Sequence, residues 1–205
     1  MNEKVIIIGA GGHAKVVADA VRKSGDEVIG FLDDRVERLG ECFCGSKILG
    51  SVSEYNRFSE SASFIIAVGD GVIRKRIAES CGARWYTAIH PSAQIADGVE
   101  IGEGSFVSAG AVINPDSKIG KHSIINTRAV VEHDCKIGDY THIAPASVVC
   151  GGTLVGDMCW IGAGATVING ISVCDNVLIG AGATVIKDVT ACGTYVGVPA
   201  KKLDK

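Results

Sequence analysis

A histidine between two acidic residues, Glu132-His133-Asp134, is the segment of this 205-residue chain best suited to proton transfer. An imidazole changes its charge near neutral pH, and a neighbouring carboxylate can fix which ring nitrogen carries the proton. His133 is therefore a candidate general base. Alternation along a strand would put its side chain opposite both carboxylates unless the chain turns there, so the spacing leaves Glu132 and Asp134 open as the orienting acid.

A second group of candidate residues lies near the start of the chain, in the run Gly9-Ala10-Gly11-Gly12-His13-Ala14. This run fits G-x-G-x-x-A, and Asp33 and Asp34 follow about twenty positions later, as in dinucleotide-binding motifs. Backbone N–H groups at a helix start can hold phosphate, with His13 adding a donor. Asp33 or Asp34 could accept hydrogen bonds from a base or a ribose. The alternative is a plain turn with a helix-capping histidine.

The first ninety residues alternate strands with helices. Strands are predicted at residues 5–8, 28–32, 64–68 and about 85–89, and helices at residues 15–23 and 72–81. This order predicts a small, Rossmann-like parallel α/β sheet. Ligands in such sheets bind beyond the carboxyl ends of the strands, where Gly9, Gly12 and Gly69 fall. The domain is about half of a full dinucleotide fold, so one nucleotide fits it better than two.

From residue 95 onward the chain keeps a period of six. Every sixth residue from Ile95 to Val185 is Ile or Val, sixteen in succession, and the residue four places after each is mostly small. A period of six fits neither a long helix nor one continuous strand, but it fits short strands joined at regular corners. We therefore predict an all-β solenoid whose layers bury their aliphatic residues against each other.

The pattern resembles the hexapeptide-repeat left-handed parallel β-helix, in which three hexads make an 18-residue coil. The handedness is implied by the resemblance and not by the spacing. In such a column Gly151 lies one coil from His133, beside Gly152. Two glycines there let the backbone approach a ligand and aim N–H groups at a thioester oxygen. His142 lies half a coil from His133, so we expect the two to meet only across a subunit boundary.

Composition limits the remaining possibilities. A net charge of -3 argues against nucleic acid as the main partner. No run of 18 apolar residues occurs, and residues 1–4 lead into a strand without a cleavage site, so we expect no membrane span, no signal peptide and a cytoplasmic location. The eight cysteines lack the usual zinc spacing, and Cys135 and Cys159 fall in the small inward position, so we expect packing roles and no metal.

These segments together resemble the bacterial hexapeptide acyltransferases that carry a small nucleotide-sugar domain in front of the β-helix. That group acetylates 4-amino sugars on UDP, as in bacillosamine synthesis, or is classed as sialic acid O-acetyltransferases. The residues that carry the resemblance are 7–14, 31–34, 67–76, 126–134, 149–152 and 195–201. We accordingly expect a nucleotide-sugar-binding domain at 1–90 and an acetyltransferase β-helix with a C-terminal tail at 91–205. The resemblance also implies a homotrimer with active sites between adjacent columns, and acetyl-CoA as co-substrate.

Residue by residue, the resemblance implies His133 as the base and Asp134 as its orienting acid. The implied nucleotide-sugar residues are Gly9, Gly12, His13, Asp33, Asp34 and Gly69. The implied acetyl-CoA residues are Asn126, His142, Gly151, Gly152, Ala163 and Ala181. Two positions depart from the family pattern: the 4-amino-sugar enzymes can carry glutamate where Asp134 stands, and asparagine can follow the glycine where Asp70 stands.

The resulting hypothesis is acetyl-CoA-dependent N-acetylation of a nucleotide-linked amino sugar. One alternative is O-acetylation of free sialic acid or another hydroxyl by the same base. A more distant alternative is a nucleotide-binding or structural β-helix protein without catalysis. Thermal stabilisation by a UDP-sugar would favour the first reading, and consumption of acetyl-CoA would exclude the third.

Overall fold

The computed structural model describes residues 2–203, which form an N-terminal α/β unit and a β-helical column. The N-terminal elements are β1 (Lys4–Ile8), α1 (Gly12–Lys23), β2 (Glu27–Leu32), β3 (Cys42–Phe43), β4 (Ser46–Gly50), β5 (Ser63–Ile66) and α2 (Gly71–Ser80), with single 3-10 helices at Val36–Arg38 and Val52–Arg57. The strand order is β3-β4-β2-β1-β5, and only the β3–β4 pair is antiparallel.

Strand β1 lies inside this sheet, between β2 and β5, and its four aliphatic residues have neighbours on both faces of the sheet. Val5 and Ile7 pack in the cluster that contains α1, whereas Ile6 and Ile8 pack in the cluster that contains residues of α2. All four are fully buried. A continuous aliphatic run is what a parallel strand covered on both faces requires.

The sequence predicted three of the N-terminal strands and both helices, with α1 beginning earlier than expected, at Gly12. The expected fourth strand at residues 85–89 is wrong as a member of this sheet. Trp85 makes only an isolated bridge to Phe64, and Ala88–Ile89 pairs with the column. The β3–β4 hairpin was not predicted, since its two-residue strand is too short to show a period.

The column consists of two-residue strands, with one of three residues, at intervals of about six. They are β6 (Ala88–Ile89), β7 (Gln94–Ile95), β8 (Glu100–Ile101), β9 (Phe106–Val107), β10 (Val112–Ile113), β11 (Lys118–Ile119), β12 (Ile124–Ile125), β13 (Val130–Val131), β14 (Lys136–Ile137), β15 (His142–Ile143), β16 (Val148–Val149), β17 (Leu154–Val155), β18 (Trp160–Ile161), β19 (Thr166–Val167), β20 (Ser172–Val173), β21 (Val177–Ile179) and β22 (Thr184–Val185). A short end piece follows, β23 (Gly193–Val196) and β24 (Lys201–Lys202).

These strands form three sheets, which we call the first, second and third faces, and all their pairs are parallel except the antiparallel pair β23–β24. The first face contains β6, β9, β12, β15, β18, β21, β23 and β24; the second contains β7, β10, β13, β16, β19 and β22; the third contains β8, β11, β14, β17 and β20. Val112 pairs with Val130, and Val130 with Val148, so the register advances by 18 residues per coil. The inward residues Ile113, Val131 and Val149 are fully buried. The period-six prediction is therefore confirmed.

The N-terminal unit packs against the first coils of the first face, strands β6, β9 and β12. Phe106 and Ile124 point outward from the column and are buried in the same apolar cluster as Ala14 and Val17 of α1. The outward side of these strands therefore belongs to the hydrophobic core of the N-terminal unit, and the column forms one wall of that core.

A buried arginine joins the two units. Arg74, on α2, is only 1% exposed, and its Nε donates to the carbonyl of His122 at 2.6 Å, while Nη2 donates to the carbonyls of Tyr140 and Thr141. Its Nη1 donates at 2.9 Å to the carbonyls of Val68 and Gly69. A buried charge is tolerable only when its donors are satisfied, and here five carbonyl oxygens from both units do so.

No helix within residues 2–203 is long and apolar enough to cross a membrane.

The close contact between α2 and the column predicts a difference between two otherwise matched glycines. A Cβ on Gly71, the first residue of α2, would lie 2.7 Å from the Tyr140 carbonyl oxygen, whereas a Cβ on Gly12, the first residue of α1, would meet nothing within 4 Å. We expect Gly71→Ala to lower the free energy of unfolding by about 1–3 kcal/mol. Gly12→Ala should be neutral or stabilising by less than about 1 kcal/mol. Urea unfolding measures both, and equal effects would contradict the contact.

Candidate functional site

The His133 side chain stands at the corner between the second and third faces. Asp134 has a φ of 60°, so the chain turns at this residue and its carboxylate reaches back to the imidazole. The Nδ1 atom of His133 lies 2.8 Å from Oδ2 of Asp134. This hydrogen bond raises the pKa of His133. Both side chains are exposed in the single chain, with relative exposures of 62% and 66%.

Gly151 lies one coil above His133 and faces the imidazole ring. A Cβ on Gly151 would be 2.7 Å from both Cε1 and Nε2 of His133, so only glycine leaves room for the ring in this position. The neighbouring Gly152 has a φ of 67° and donates its N–H to the His133 carbonyl at 2.9 Å. Gly152 therefore holds the two coils together at this corner, while Gly151 lines the space beside the imidazole.

Asn126 and His142 form a second polar group on the opposite side of the second face. Nδ2 of Asn126 lies 2.9 Å from Nε2 of His142, and Oδ1 of Asn126 accepts from the Thr127 N–H at 2.8 Å. His142 is 6% exposed and lies under the Trp160 indole, with ring centroids 4.3 Å apart. Burial, with Arg74 nearby, lowers the pKa of His142 to about 3, so its ring is neutral.

The glycine loop of the N-terminal unit comes close to this second group. His13, on the first turn of α1, packs edge-to-face on Phe106 with centroids 5.3 Å apart, and its ring centroid is 6.4 Å from that of His142. Burial lowers the pKa of His13 to about 4. Gly9 has a φ of 99° and packs against Ala67, whereas the space around Gly12 is open. The loop therefore presents backbone and one neutral imidazole toward the column.

Asp33 and Asp34 are both engaged in the N-terminal unit itself. Asp33 pairs with Arg35 at 2.7 Å and accepts from the Ala10 N–H at 2.8 Å, and the Arg35 hydrogen bond lowers its pKa to about 2. Asp34 accepts from the Val52 N–H at 2.9 Å. Asp33 thus fixes the shape of the glycine loop, and Asp34 borders a groove of about 450 Å³ whose other wall includes Arg76.

Gly69 lies at the seam between the two units. A Cβ there would be 3.7 Å from the Trp160 ring. Ala163 and Ala181 are exposed one coil apart at the corner that follows the first face, the corner to which Thr127 also belongs. Within one chain, therefore, the predicted residues of the column lie in two groups at the two edges of the second face, whereas Asp33 and Asp34 lie within the N-terminal unit. His133, Asp134 and Gly151 make one group, and the residues near His142 make the other.

Three residues of this region were missed or misjudged from the sequence. In the sequence, Arg74 is one of several cations in the basic helix at residues 72–81, and nothing there distinguishes it from the others. Trp160 occupies an outward strand position of a hexad, and the hexad pattern assigns no special role to that position. The sequence places His122 beside Lys121 at a coil corner, which predicts a side chain that faces solvent, and this prediction is wrong. His122 is 3% exposed, stacks on Tyr140 and meets Trp85 edge-to-face, because the N-terminal unit covers this corner.

No group of three or more His, Cys, Asp or Glu side chains among residues 2–203 is arranged to hold a metal ion. All eight cysteines are free thiols, and Cys135 and Cys159 are buried in the column core, as their small inward position predicted.

Family models match both units. The PglD N-terminal domain matches residues 4–81, the bacterial transferase hexapeptide model (six repeats) matches 116–151 and 152–187, and the hexapeptide repeat of succinyl-transferase matches 92–115. The chain belongs to the family of hexapeptide-repeat, left-handed β-helix sugar acetyltransferases that begin with a PglD N-terminal domain.

Three relatives illustrate this membership. The acetyltransferase domain of PglB from Neisseria gonorrhoeae FA1090, in complex with acetyl coenzyme A, is 37% identical with a TM-score of 0.93, over 99% of this chain and 100% of that one. PerB from Caulobacter crescentus, in complex with CoA and GDP-perosamine, is 37% identical with a TM-score of 0.91, over 98% and 97%. The UDP-N-acetylbacillosamine N-acetyltransferase of Bacillus subtilis (strain 168) is 37% identical over 114 residues, 52% of each chain. The chain spans about half or less of the length of the curated relatives that it matches.

The burial of His122 predicts a pH dependence of stability. Its pKa is lowered by burial from 6.5 to about 4, so between these values the unfolded chain binds a proton that the folded chain does not. The stabilisation is complete above pH 6.5 and is lost as the pH falls toward 4. We expect urea unfolding of the wild type to lose on the order of 1–3 kcal/mol more than His122→Phe over this range. Parallel pH profiles for the two proteins would contradict the assignment.

Proposed function

We propose that this chain transfers the acetyl group of acetyl-CoA to the amino group of a nucleotide-linked sugar, with His133 as the general base. The observation that carries the proposal is the His133–Asp134 pair held 2.8 Å apart beneath a glycine that leaves the imidazole uncovered. The relatives support it, since one was solved with acetyl coenzyme A and another with CoA and a GDP-linked amino sugar.

The tautomer of His133 follows from its partner. A carboxylate only accepts hydrogen bonds, so the proton between the two groups belongs to Nδ1, and Nε2 keeps its lone pair. Nε2 lies, together with Cε1, on the edge of the ring nearest to Gly151. A neutral His133 can therefore take a proton at Nε2 while Asp134 stabilises the imidazolium that forms. Asp134 is the orienting acid in this proposal, and Glu132 is not needed.

The acetyl transfer needs only the amine, the thioester and His133 to account for every bond and proton. The amine nitrogen attacks the thioester carbonyl carbon, and a C–N bond forms as Nε2 of His133 takes a proton from the nitrogen. The C–S bond then breaks, and the proton passes to the departing CoA sulfur. The N–H of Gly151 would stabilise the oxyanion between these two events. General-base catalysis of this kind contributes roughly 10²–10⁴-fold to the rate.

The second face supports a homotrimer with sites between columns. Its outward residues are Gln94, Val112, Val130, Val148, Thr166 and Thr184, all uncharged. The outward residues of the third face include Glu100, Lys118 and Lys136, and the N-terminal unit covers the first coils of the first face. Three copies with their second faces toward a common axis would bring the His133 edge of one chain to the His142 edge of the next.

The N-terminal unit supplies the nucleotide half of such a site. The start of α1 presents backbone N–H groups beside Gly11 and Gly12, where no other atoms crowd the surface, which suits a diphosphate. The short distance between His13 and His142 gives a path from this loop to the column. The sugar would extend along that path, and its amino group would reach His133 of the neighbouring chain.

The direct test is incubation with acetyl-CoA and a panel of UDP-, GDP- and dTDP-linked amino sugars, with free sialic acid as a separate acceptor. We expect one nucleotide sugar to gain one acetyl group by mass, in a product that resists hydroxylamine, as an amide does and an ester does not. Acetylation of sialic acid alone would replace the amine acceptor with a hydroxyl, and no transfer to any acceptor would refute the proposal.

Two substitutions test the base. We expect His133→Ala to lower kcat by about 10²–10⁴-fold while the affinity for acetyl-CoA stays near that of the wild type. Because Asp134 raises the pKa of His133, Asp134→Asn should move the acidic limb of the kcat/KM profile to lower pH. Steady-state kinetics across pH measure both effects. An unchanged kcat for His133→Ala would remove His133 from the mechanism.

Mixing two inactive variants tests the shared site. His133→Ala and His142→Ala fail at opposite edges of the second face, so co-assembled trimers contain some sites in which both edges are intact. We expect co-expression to restore activity. The matched control is His133→Ala with Asp134→Ala, which damage the same edge and should not complement each other. Restoration in neither mixture, or in both, would contradict a site built from two chains.

A further inference from the structure

The turn at residues 132–135, which carries the proposed base, is closed by a side chain from the coil below. In an ordinary four-residue turn the fourth N–H donates to the first carbonyl, as it does here in the turn at 126–129. At 132–135 the Cys135 N–H donates instead to Oγ of Ser117, at 3.1 Å. The same Oγ donates to the Glu132 carbonyl at 2.7 Å. One hydroxyl therefore joins the two ends of the turn, a contact that we call the Ser117 bridge.

Ser117 sits where only the turn can use its hydroxyl. It occupies the small inward position four places after Ile113 and is fully buried. A hydroxyl has one hydrogen and two lone pairs, so Oγ can donate to the carbonyl and accept from the N–H at the same time. Without Oγ, the Glu132 carbonyl and the Cys135 N–H would both lose their partner, and the turn would have to rearrange to pair them.

The middle of the turn is held by backbone alone. The Asp134 N–H donates to the Pro115 carbonyl in the coil below, at 3.0 Å. The His133 carbonyl accepts from the Gly152 N–H in the coil above, at 2.9 Å. These two bonds do not depend on any side chain, so they remain when Ser117 is substituted. Substitution at this position therefore loosens the ends of the turn without detaching it from the column.

The shape of the turn decides whether the imidazole meets its carboxylate. His133 and Asp134 are consecutive, and consecutive side chains of an extended strand point to opposite sides. Nδ1 and Oδ2 lie 2.8 Å apart because Asp134 has a φ of 60°, a conformation that residues other than glycine rarely adopt. The two ends that Ser117 joins come immediately before and after this pair. A looser turn would therefore lengthen the bond between the imidazole and the carboxylate.

We propose that Ser117 is a positioning residue, whose hydroxyl fixes the turn at 132–135 so that Asp134 stays within hydrogen-bonding distance of the His133 imidazole. The catalytic consequence rests on the proposed function, in which His133 is the base, whereas the hydrogen bonds themselves do not. Because Ser117 lies inside the column, it acts through the imidazole and does not touch the substrate.

A second serine forms the same kind of bridge and provides a matched control. Ser105 is also fully buried, and its Oγ donates to the Gly120 carbonyl at 2.8 Å and accepts from the Ser123 N–H at 3.0 Å. That turn lies at the corner between the third and first faces and carries neither His133 nor Asp134. Ser105→Ala therefore removes an equivalent pair of hydrogen bonds from a turn that does not hold the proposed base.

The column also shows which replacements fit this inward position. Thr153, two coils above Ser117 at the same corner, donates its hydroxyl to the Ile168 carbonyl at 3.1 Å. Cys135, one coil above, has its Sγ 3.2 Å from the Cys150 carbonyl. Ser117→Thr therefore keeps a hydroxyl in a position that accepts threonine, and Ser117→Cys supplies a thiol, which is a weaker donor.

The pKa of His133 reports the imidazole–carboxylate bond without any substrate. The hydrogen bond to Asp134 is the largest cause that raises this pKa, and the charge of Glu132 acts in the same direction. The residues one coil below and one coil above His133 are Pro115 and Gly151, which carry no charge. A longer bond to Asp134 must therefore lower the pKa of His133.

NMR titration of protein labelled with ¹⁵N-histidine measures this pKa, and the His133 signals are those lost in His133→Gln. We expect Ser117→Ala to lower the pKa of His133 toward that of free histidine, Ser117→Thr to keep the wild-type pKa, and Ser117→Cys to fall between them. Ser105→Ala should lose stability toward urea as Ser117→Ala does, but should leave the pKa of His133 unchanged.

An unchanged pKa in Ser117→Ala, or an equal fall in Ser105→Ala, would overturn the proposal. A fall in Ser117→Thr as large as that in Ser117→Ala would also overturn it, because the hydroxyl would then not be the cause. If Ser117→Ala does not fold, the comparison of Ser117→Cys with the wild type decides in the same way.

Kinetics tests the catalytic consequence. We expect Ser117→Ala to lower kcat by about 10–100-fold with the KM for acetyl-CoA within about twofold of the wild type, because a misdirected base costs rate and not binding. The acidic limb of the kcat/KM profile should move to lower pH together with the pKa of His133. Ser105→Ala should keep the kcat and the pH profile of the wild type. A wild-type kcat in Ser117→Ala would overturn the positioning role.

The inference and the proposed function fail in different experiments. A wild type that transfers no acetyl group, but whose His133 pKa falls in Ser117→Ala as expected, would defeat the proposed function and leave the Ser117 bridge standing. An active wild type whose His133 pKa stays the same in Ser117→Ala would defeat the positioning role and leave the proposed function standing.

Discussion

The structure depends on one buried cation. Arg74 is buried away from water and forms no ion pair with a carboxylate among residues 2–203. Carbonyl oxygens from the loop before α2 and from two adjacent coils hold it instead. Burial lowers its pKa to about 10, so it keeps its charge at neutral pH. Because guanidinium is planar and its five N–H groups have fixed directions, these bonds set an orientation as well as a distance. The position of the Gly69 loop on the column is a consequence.

The same cation influences the histidines around it. Burial is the main reason that the pKa values of His13 and His142 are low, and the nearby positive charge of Arg74 acts in the same direction. His133, at the far edge of the second face, is exposed and paired with a carboxylate, so its pKa moves upward. One fold thus keeps one imidazole basic and two others neutral, and the difference comes from their neighbours.

The column was predictable because its period is strict and its core is repeated in every coil. The 18-residue coil also predicted correctly that Gly151 lies one coil from His133 and that His142 lies on a different side of the column. The seam was not predictable, because the residues that meet there are far apart in the chain. Arg74 contacts carbonyls that any residue provides, so its partners leave no signature in the sequence. His122 was misjudged for the same reason, since its covering residues Trp85 and Tyr140 lie outside its own hexad.

Because the register is 18 residues per coil, the number of residues between two positions of the column decides on which face each of them lies. An insertion of one hexad between Ile125 and Ile143 would turn the rest of the column by a third of a revolution, and His133 or the carbonyls bound by Arg74 would then point along the wrong face. An insertion of a whole coil above Val167 would leave both directions intact. The column can therefore become taller or shorter by whole coils without moving the site residues to another face, whereas any other change in length would move them.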